Sequence, residues 1–413
     1  MRILFFATFF LMIVFNLTAQ NRKSAELKLP DPLLSENGIT ITKIEEWKSV
    51  RRPEILEMVK KLMYGISPEA PDELKFIVFD QSEDALKGKA IRKQVAVYIP
   101  GKTDYHLLDL LIYLPKNIKP APVFLGLNFQ GNHAVNSDPK IRLSDKWVWI
   151  GAGGSIKNHP TEKSRGAVSS RWPIEMILKK GYGVATVYAG DLDPDYFDDF
   201  KNGIHALYPE LQNREDNFST MGAWAWGLSR CMDYFETDED IDSEKIAVLG
   251  FSRMGKAAIW AGAKDQRFGM VISNESGGGG AALSKRKVGE DLARLNNGNR
   301  HWFSKKFKEF NLNEEKLPFD QHMVLSLIAP RPVYIASAEV DPGSDPEGEF
   351  LSAKLASPVY NLFGITAFSN IHFPEVNRPM LKEGMGYHIR SGTHDITKYD
   401  WEQFLKFADL NWK

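Results

Sequence analysis

Apolar runs of strand length alternate with segments of helical periodicity from Pro122 to the end of the chain. The strand-like runs lie at residues 123–129, 183–189, 245–251, 269–275 and 332–339. The helical patterns lie at residues 173–181, 222–236, 253–264 and 400–411. Nearly continuous apolar strands separated by helices indicate a mostly parallel sheet that is covered on both faces. The pattern predicts an α/β fold, a three-layer αβα sandwich, whose site lies at the carboxyl ends of the strands.

The N-terminal part of the chain has a different pattern. Residues 1–20 contain Arg2, an apolar run at 3–15 and small residues near Ala19, which is typical of a signal peptide and too short for a membrane anchor. Beyond it, an amphipathic helix is predicted at 53–65, and strands are predicted at 94–100 and 107–115. We find no repeat or long linker, so residues 21–413 are predicted to form a single domain.

Charge and cysteine content narrow the possible partners. The 413 residues include 52 basic and 53 acidic side chains, a formal net charge of −1, so there is no global field for nucleic acid or anionic membranes. Cys231 is the only cysteine, which excludes an internal disulfide, and its aromatic surroundings favour burial. No cysteine–histidine cluster or phosphate-binding loop is found. We therefore expect a secreted or periplasmic protein that needs no metal or cofactor, and we expect a monomer.

The junction between the strand at 245–251 and the helix at 253–264 resembles a nucleophile elbow. Residues 250–255 read Gly-Phe-Ser-Arg-Met-Gly, so the second glycine falls one place later than in the usual Gly-x-Ser-x-Gly pattern. Gly250 and Gly255 still provide the small residues that let strand and helix backbones approach closely. Ser252 is therefore the candidate nucleophile, although a serine at this position also suits a simple helix cap.

A nucleophilic serine needs a base and an acid, which follow it along the chain in this type of fold. Four histidines lie far enough beyond Ser252: His322, His372, His388 and His394. His394 stands in a small-residue loop before the last helix, where the base is expected, and His388 is its nearest rival. Glu275 ends one predicted strand and Asp341 follows the next. The residues alone leave open which one orients the histidine.

The transition state of ester hydrolysis also needs donors for its oxyanion. The backbone N–H of Arg253 is one candidate, and the Gly/Asn-rich loop at 126–136 is the expected source of a second. The guanidinium of Arg253 adds a charged donor beside the serine and attracts a substrate with a carboxyl-derived group.

Together these segments resemble a known family. They read GFSRMGKAA at 250–258, SNESGGGGAALSKR at 273–286, VGEDLARLN at 288–296, HWF at 301–303, LNFQGNHAV at 127–135 and SGTHDIT at 391–397. This set resembles the glucuronoyl esterases, family fifteen of the carbohydrate esterases, over nearly the whole chain from about Arg51. The resemblance implies an α/β-hydrolase fold and cleavage of esters between glucuronic acid on xylan and lignin alcohols.

The resemblance also implies roles for individual residues. It assigns Ser252 as nucleophile, His394 as base, Arg253 to the oxyanion, and Glu275 with Asp341 to the two acid positions of the family. It also implies that Lys256 and Glu290 bind sugar hydroxyls. Trp302 is a candidate for stacking on a sugar face, and burial in the core is the alternative for this tryptophan. Family members commonly carry an aromatic residue shortly after the second acid, whereas here Pro342, Gly343 and Ser344 follow Asp341.

We therefore predict a serine esterase that acts on esters of (4-O-methyl-)D-glucuronic acid in a glucuronic-acid-bearing polysaccharide. One alternative is an acetyl or feruloyl esterase of hemicellulose, against which the cationic Arg253 and Lys256 argue. Another is a glycan-binding protein that has kept a hydrolase fold, against which the complete set of triad candidates argues.

Overall fold

The computed structural model describes residues 27–101, 105–149 and 153–413. The predicted signal peptide at 1–20 lies outside these described residues.

One ten-stranded sheet runs through the molecule in the order β1-β2-β3-β5-β4-β6-β7-β8-β10-β9. Its strands are β1 Lys75–Asp84, β2 Ala90–Ile99, β3 Tyr105–Pro115, β4 Ala121–Asn128, β5 Gly183–Tyr188, β6 Ile241–Phe251, β7 Met270–Asn274, β8 Val333–Val340, β9 Met380–Lys382 and β10 Met385–Thr393. The six strands from β5 to β10 in this order pair in parallel. Antiparallel strands flank them, with β1, β2 and β3 on one side and β9 on the other.

Helices cover both faces of the sheet. The longer ones are α1 Arg52–Val59, α2 Ile174–Lys179, α3 Thr220–Phe235, α4 Arg253–Lys264, α5 Leu292–Gly298, α6 Gln321–Ser326, α7 Pro346–Leu362 and α8 Lys398–Trp412. Short helical segments lie at Ile44–Glu46, Ala85–Gly88, Ala189–Leu192 and Pro209–Gln212. Helices α3, α4 and α7 pack against one face of the central strands, and α2 and α8 pack against the sheet as well.

Alternate residues of each central strand enter different cores, which explains why the strands read as continuous apolar runs. In β6, Val248 belongs to the larger core with the indoles of Trp224 and Trp260. The next residue, Leu249, belongs to the second core with Trp401. Because both faces are buried, polar positions are excluded along the middle of the strand. The three-layer α/β architecture predicted from this pattern is confirmed.

The predicted elements agree with the observed ones where burial is two-sided, and the pattern missed elements elsewhere. The helix predicted at 253–264 matches α4 at both ends. Strand β1 was missed because it is an edge strand with mostly exposed side chains. Helix α7 was missed too, since Gly348 and Pro358 lie inside it and weaken its helical pattern.

Among the described residues, no helix has both the length and the apolar character needed to cross a membrane. Cys231 is a free, buried thiol, and burial raises its pKa well above the ordinary range.

Candidate active site

Four candidate catalytic residues each stand directly after a central strand. Ser252 follows β6, Glu275 follows β7, Asp341 follows β8 and His394 follows β10. Since these four strands are neighbours and parallel, their carboxyl ends meet at one edge of the sheet. The topology thus brings together side chains that are up to 142 residues apart in the chain, from 252 to 394.

Ser252 has the strained backbone of a nucleophile elbow. Its φ of 56° and ψ of −131° lie outside the regions that non-glycine residues prefer. Its N–H donates to the carbonyl of Asn274 at 2.9 Å, which ties the turn to the end of β7. Ser252 makes no side-chain cap hydrogen bond to α4, so its hydroxyl is not used as a helix cap.

Both glycines of the elbow are required by close contact. A Cβ on Gly250 would lie 2.0 Å from the carbonyl oxygen of Met254, and one on Gly255 would lie 3.0 Å from the carbonyl oxygen of Gly250. The second glycine therefore faces the first across the turn. The late position of Gly255 preserves the close approach that the usual pattern provides.

His394 contacts both candidate acids through the same ring nitrogen. Nδ1 lies 2.7 Å from Oδ2 of Asp341 and 3.2 Å from Oε2 of Glu275. Its side chain is 41% exposed, whereas Glu275 is fully buried. The sequence left open which of the two acids contacts His394. In the structure both do, and Asp341 is the nearer one.

The pKa values of this group follow from burial and pairing. Burial acts to lower the pKa of His394, but hydrogen bonds to Asp341 and Glu275 outweigh it and raise the pKa to about 9. For Asp341, burial opposes ionisation, yet hydrogen bonds from His394 and Ser344 hold the pKa below its usual value. Burial raises the pKa of Glu275 despite the same histidine. Asp341 is therefore the acid whose charge the imidazolium stabilises more strongly.

Arg390 fixes the loop around His394. Its Nη2 donates to Oε1 of Glu275 at 2.6 Å and to the carbonyl oxygens of Thr393 at 2.9 Å and Asp395 at 2.6 Å. Those two carbonyls flank His394 in the chain. One buried guanidinium therefore holds both a candidate acid, Glu275, and the backbone on either side of the candidate base.

Two other histidines that follow Ser252, His388 and His322, lie in different surroundings. His388 is fully buried, with Nε2 at 2.8 Å from Asp400 and Nδ1 at 2.8 Å from the hydroxyl of Tyr334. His322 is also buried and contacts the carbonyl of Pro30. With both ring nitrogens occupied inside the core, His388 has no nitrogen free to take a proton from Ser252.

The loop at 126–136 lies beside Ser252, but two of its backbone N–H groups already form hydrogen bonds within the loop. The N–H groups of Gln130 and Gly131 donate to the side-chain oxygen of Asn128, at 3.2 and 2.7 Å. Phe129 and Gln130 line the same cleft as Ser252. These two N–H groups are therefore not free to serve as the second oxyanion donor that was expected from this loop.

Arg253 lies between two aromatic rings and an acid that the sequence analysis did not single out. Its guanidinium carbon is 5.2 Å from the ring centres of Phe129 and Trp302, and Nε is 3.1 Å from Oδ2 of Asp195. Asp195 also accepts the indole N–H of Trp302 at 2.9 Å and contacts Nε2 of His301 at 3.0 Å. Burial opposes ionisation of Asp195, but these partners lower its pKa.

Trp302 itself is only 5% exposed. Its ring faces the guanidinium of Arg253, and its stacking on a sugar stays a prediction.

Lys256 is buried beneath the elbow. Its Nζ donates to the carbonyl oxygens of Ser276 at 2.5 Å and Gly278 at 2.7 Å, and to Oε2 of Glu290 at 3.1 Å. An ammonium group has three hydrogens, so these three acceptors use all of them. A sugar hydroxyl would have to replace one of the three. Glu290 is partly exposed and offers its second oxygen more readily.

An open cleft of 430 Å³ contains the serine, Arg253 and His394, and Trp149 and Arg171 also line it. Trp149 is 52% exposed, which is unusual for so large an apolar side chain. Among the described residues, Glu275, Asp341 and His394 form a cluster of potential metal ligands, with ligand atoms within 4.8 Å of one another. Here both carboxylates contact Nδ1 of His394, an arrangement in which acids orient a histidine base.

Comparisons with known proteins show which family the chain belongs to. Residues 178–364 match the family model described as glucuronyl esterase of fungi. Carbohydrate esterase MZ0003 from an unknown prokaryotic organism is 48% identical over 386 residues, which are 92% of this chain and 89% of that protein. A glucuronoyl esterase structure from Solibacter usitatus has a TM-score of 0.88 at 46% identity, covering 94% of this chain and 98% of that one. A promiscuous esterase of carbohydrate esterase family 15 from a marine bacterial metagenome has the same TM-score and identity, covering 94% and 97%. The chain belongs to carbohydrate esterase family 15, the family of the glucuronoyl esterases.

Proposed function

We propose that this protein hydrolyses esters of (4-O-methyl-)D-glucuronic acid through an acyl-enzyme on Ser252. His394 takes the proton of the Ser252 hydroxyl as the oxygen attacks the uronoyl carbonyl carbon. The tetrahedral intermediate collapses, the alcohol leaves with the proton from His394, and the uronoyl group stays bound to the serine. Water, deprotonated by His394, then attacks the acyl carbon and releases the uronic acid and the free serine.

Asp341 and Glu275 hold the imidazole in the tautomer that this cycle requires. A carboxylate at Nδ1 places the ring hydrogen there, which leaves Nε2 free to accept the proton of the serine. Two carboxylates near one nitrogen also stabilise the imidazolium that forms during attack. The distances of 2.7 and 3.2 Å from Nδ1 of His394 to Asp341 and Glu275 support this role of the two acids.

The oxyanion is stabilised by Arg253 in this proposal. Arg253 is the first residue of α4, so its backbone N–H lies at the helix N-terminus, where the helix dipole favours negative charge. Its guanidinium adds a charged donor. Asp195 and the rings of Phe129 and Trp302 hold the guanidinium in place. Because a held donor needs no reorganisation during the reaction, it stabilises the transition state more than a mobile one would.

Lys256, Glu290 and Trp302 form the proposed sugar side of the site. Glu290 accepts from sugar hydroxyls, and Lys256 either donates to a hydroxyl or holds Glu290 in place through their 3.1 Å contact. Trp302 contributes ring surface and keeps Arg253 oriented.

The observation that carries the proposal is the contact of His394 with two carboxylates beside the elbow serine and Arg253. Initial rates on benzyl glucuronate and on p-nitrophenyl acetate, at equal concentrations, test the ester class. We expect faster cleavage of the glucuronate, since only its acyl group has hydroxyls for Glu290 and Lys256. Markedly faster cleavage of the acetate would favour the acetyl-esterase alternative and contradict the proposal.

The proposal includes export and a polymeric substrate. Polymers that carry glucuronate esters lie outside the cell, which fits the signal peptide predicted at 1–20. The N-terminal mass of the mature protein tests removal of that segment, and size-exclusion chromatography with light scattering tests the proposed monomer. Retention of residues 1–20 on exported protein would contradict the first point, and a dimer mass would contradict the second.

A further inference from the structure

A third carboxyl group, Glu349, lies buried beneath the two acids of the site. It stands in the first turn of α7 and is fully buried. Its Oε1 accepts the N–H of Gly277 at 2.9 Å and the hydroxyl of Ser276 at 3.3 Å. Both donors belong to the turn that follows Glu275. The reaction proposed above makes no use of this side chain.

The other oxygen begins a chain of hydrogen bonds. Oε2 of Glu349 is 2.7 Å from the hydroxyl of Ser337, which is 3.0 Å from the hydroxyl of Tyr387, which is 2.9 Å from the carbonyl oxygen of Pro346. Three contacts need three hydrogens. Ser337 and Tyr387 supply one each, and the carbonyl supplies none.

The third hydrogen has to come from Glu349. We propose that Glu349 is a neutral carboxylic acid in the working enzyme and that it is a positioning residue for the turn that carries Glu275. With Pro346 as the final acceptor, Tyr387 donates to it, Ser337 donates to Tyr387, and the acid hydrogen on Oε2 donates to Ser337. Oε1 is left as an acceptor for Gly277 and Ser276.

The charges around Glu349 support the neutral form. Glu275 faces it from the turn after β7, Asp341 from the turn after β8 and Tyr387 from β10. Asp345 caps the N-terminus of its own helix, and Glu347 lies in the first turn of that helix. Its hydrogen-bond partners among the described residues are two serines and a backbone N–H, none of them cationic. Burial raises the pKa of Glu349 to about 8, with Glu275 and Asp341 acting in the same direction.

A neutral acid at this place gives hydrogen bonds without adding a third negative charge. The turn it holds also supplies the carbonyl oxygens of Ser276 and Gly278 to Lys256. Glu349 therefore orders the backbone beneath Glu275 and Lys256. Because it is neutral, only the carboxylates of Glu275 and Asp341 contribute to the negative electrostatic potential of this acid cluster at His394. The positioning role rests on the proposed function, whereas the protonation state does not.

Infrared difference spectroscopy tests the protonation without reference to activity. We expect the wild-type spectrum at neutral pH to contain a carbonyl stretching band of a protonated carboxylic acid that Glu349→Gln lacks. In Ser337→Ala the band should persist but move to higher frequency, because the acid hydrogen has lost its acceptor. Glu347→Gln, which changes an exposed carboxyl on the same helix turn, should leave the band unchanged. An unchanged band in Glu349→Gln would overturn the proposal.

Kinetics on benzyl glucuronate test the positioning role. Glu349→Leu removes the acceptor of the Gly277 N–H, and we expect kcat to fall about tenfold to hundredfold. Glu349→Gln should restore most of that loss, because its amide offers one oxygen and one N–H in the places of the acid. The pH at which kcat/KM falls to half of its maximum should be the same in Glu349→Gln and in wild type. A shift of about one unit toward acid in Glu349→Gln would mean that Glu349 carries a charge that raises the pKa of His394.

Discussion

Nδ1 of His394 lies 2.7 Å from Oδ2 of Asp341, closer than its 3.2 Å contact with Glu275. The residue that follows β8 is thus the nearer acid, while the residue that follows β7 is bound more firmly into the core through Arg390. The two carboxylates therefore differ in what their removal should do.

We expect Asp341→Asn to lower kcat by about tenfold to hundredfold with little change in melting temperature, because Glu275 still holds His394. Glu275→Gln should lower both kcat and the melting temperature, because the buried guanidinium of Arg390 loses a charge partner. Melting curves and kcat on benzyl glucuronate measure both effects. The double variant should lose much more activity than either single variant.

Glu339→Gln is the matched control, since Glu339 is an exposed carboxyl two residues before Asp341. A double variant no worse than Glu275→Gln alone would leave Asp341 without a catalytic role.

The raised pKa of His394 predicts how activity depends on pH. The base must be neutral to accept the serine proton, so kcat/KM should fall as pH drops through the pKa of about 9. Removing a neighbouring charge lowers that pKa, so the profile of Asp341→Asn should move toward acid while its maximum decreases. A pH–rate profile that is identical in the two proteins would contradict this account.

The same pKa predicts a dependence of stability on pH. The folded value of about 9 lies above the ordinary value of 6.5, so His394 stabilises the fold fully below about pH 6.5. That contribution is lost as the pH rises through 9. We expect the melting-temperature difference between wild type and His394→Gln to shrink over this range, and a difference that grows would be inconsistent with the pairing.

Arg253 can be tested together with the acid that orients it. We expect Arg253→Ala to lower kcat about a hundredfold or more, as removal of an oxyanion donor does. Asp195→Asn should reduce kcat less, because the guanidinium remains but loses its ion pair. Arg214→Ala provides the control, since Arg214 is a surface arginine paired with Asp216. If Asp195→Asn raised KM alone, its proposed action through Arg253 would fail.

The elbow glycines offer a structural test. Gly250→Ala places a methyl group 2.0 Å from a backbone oxygen, so we expect loss of several kcal/mol of folding free energy or no soluble protein. Gly298→Ala, at a glycine with no atom within 4 Å of the added methyl, should keep the wild-type melting temperature within a few degrees. Equal stability of the two variants would show that the turn is not as tight as described.

Sequence reasoning reached the parts of this site that depend on local chain geometry. Gly250, Ser252 and Gly255 form a turn whose steric needs are written in six consecutive residues. His394 could be preferred to His388 because it follows a small-residue segment before the last helix, and the buried contacts of His388 agree with that preference.

What was missed depends on distances across the fold. Asp195 lies in a run with several other acids at 191–199, all of which follow β5. What distinguishes it is its contact with Nε of Arg253, which only the folded structure shows. Glu349 and Glu347 look alike in sequence, yet one is buried and the other exposed. The order of proximity of Glu275 and Asp341 to His394 is set by the packing of β7, β8 and β10, which no local pattern encodes.

The activity of Ser252→Ala on benzyl glucuronate tests the central claim most directly. With a melting temperature that shows the variant is folded, we predict a fall in kcat of about a thousandfold or more, since the acyl-enzyme can no longer form. Turnover by this folded variant at the wild-type rate would contradict the assignment of Ser252 as the nucleophile.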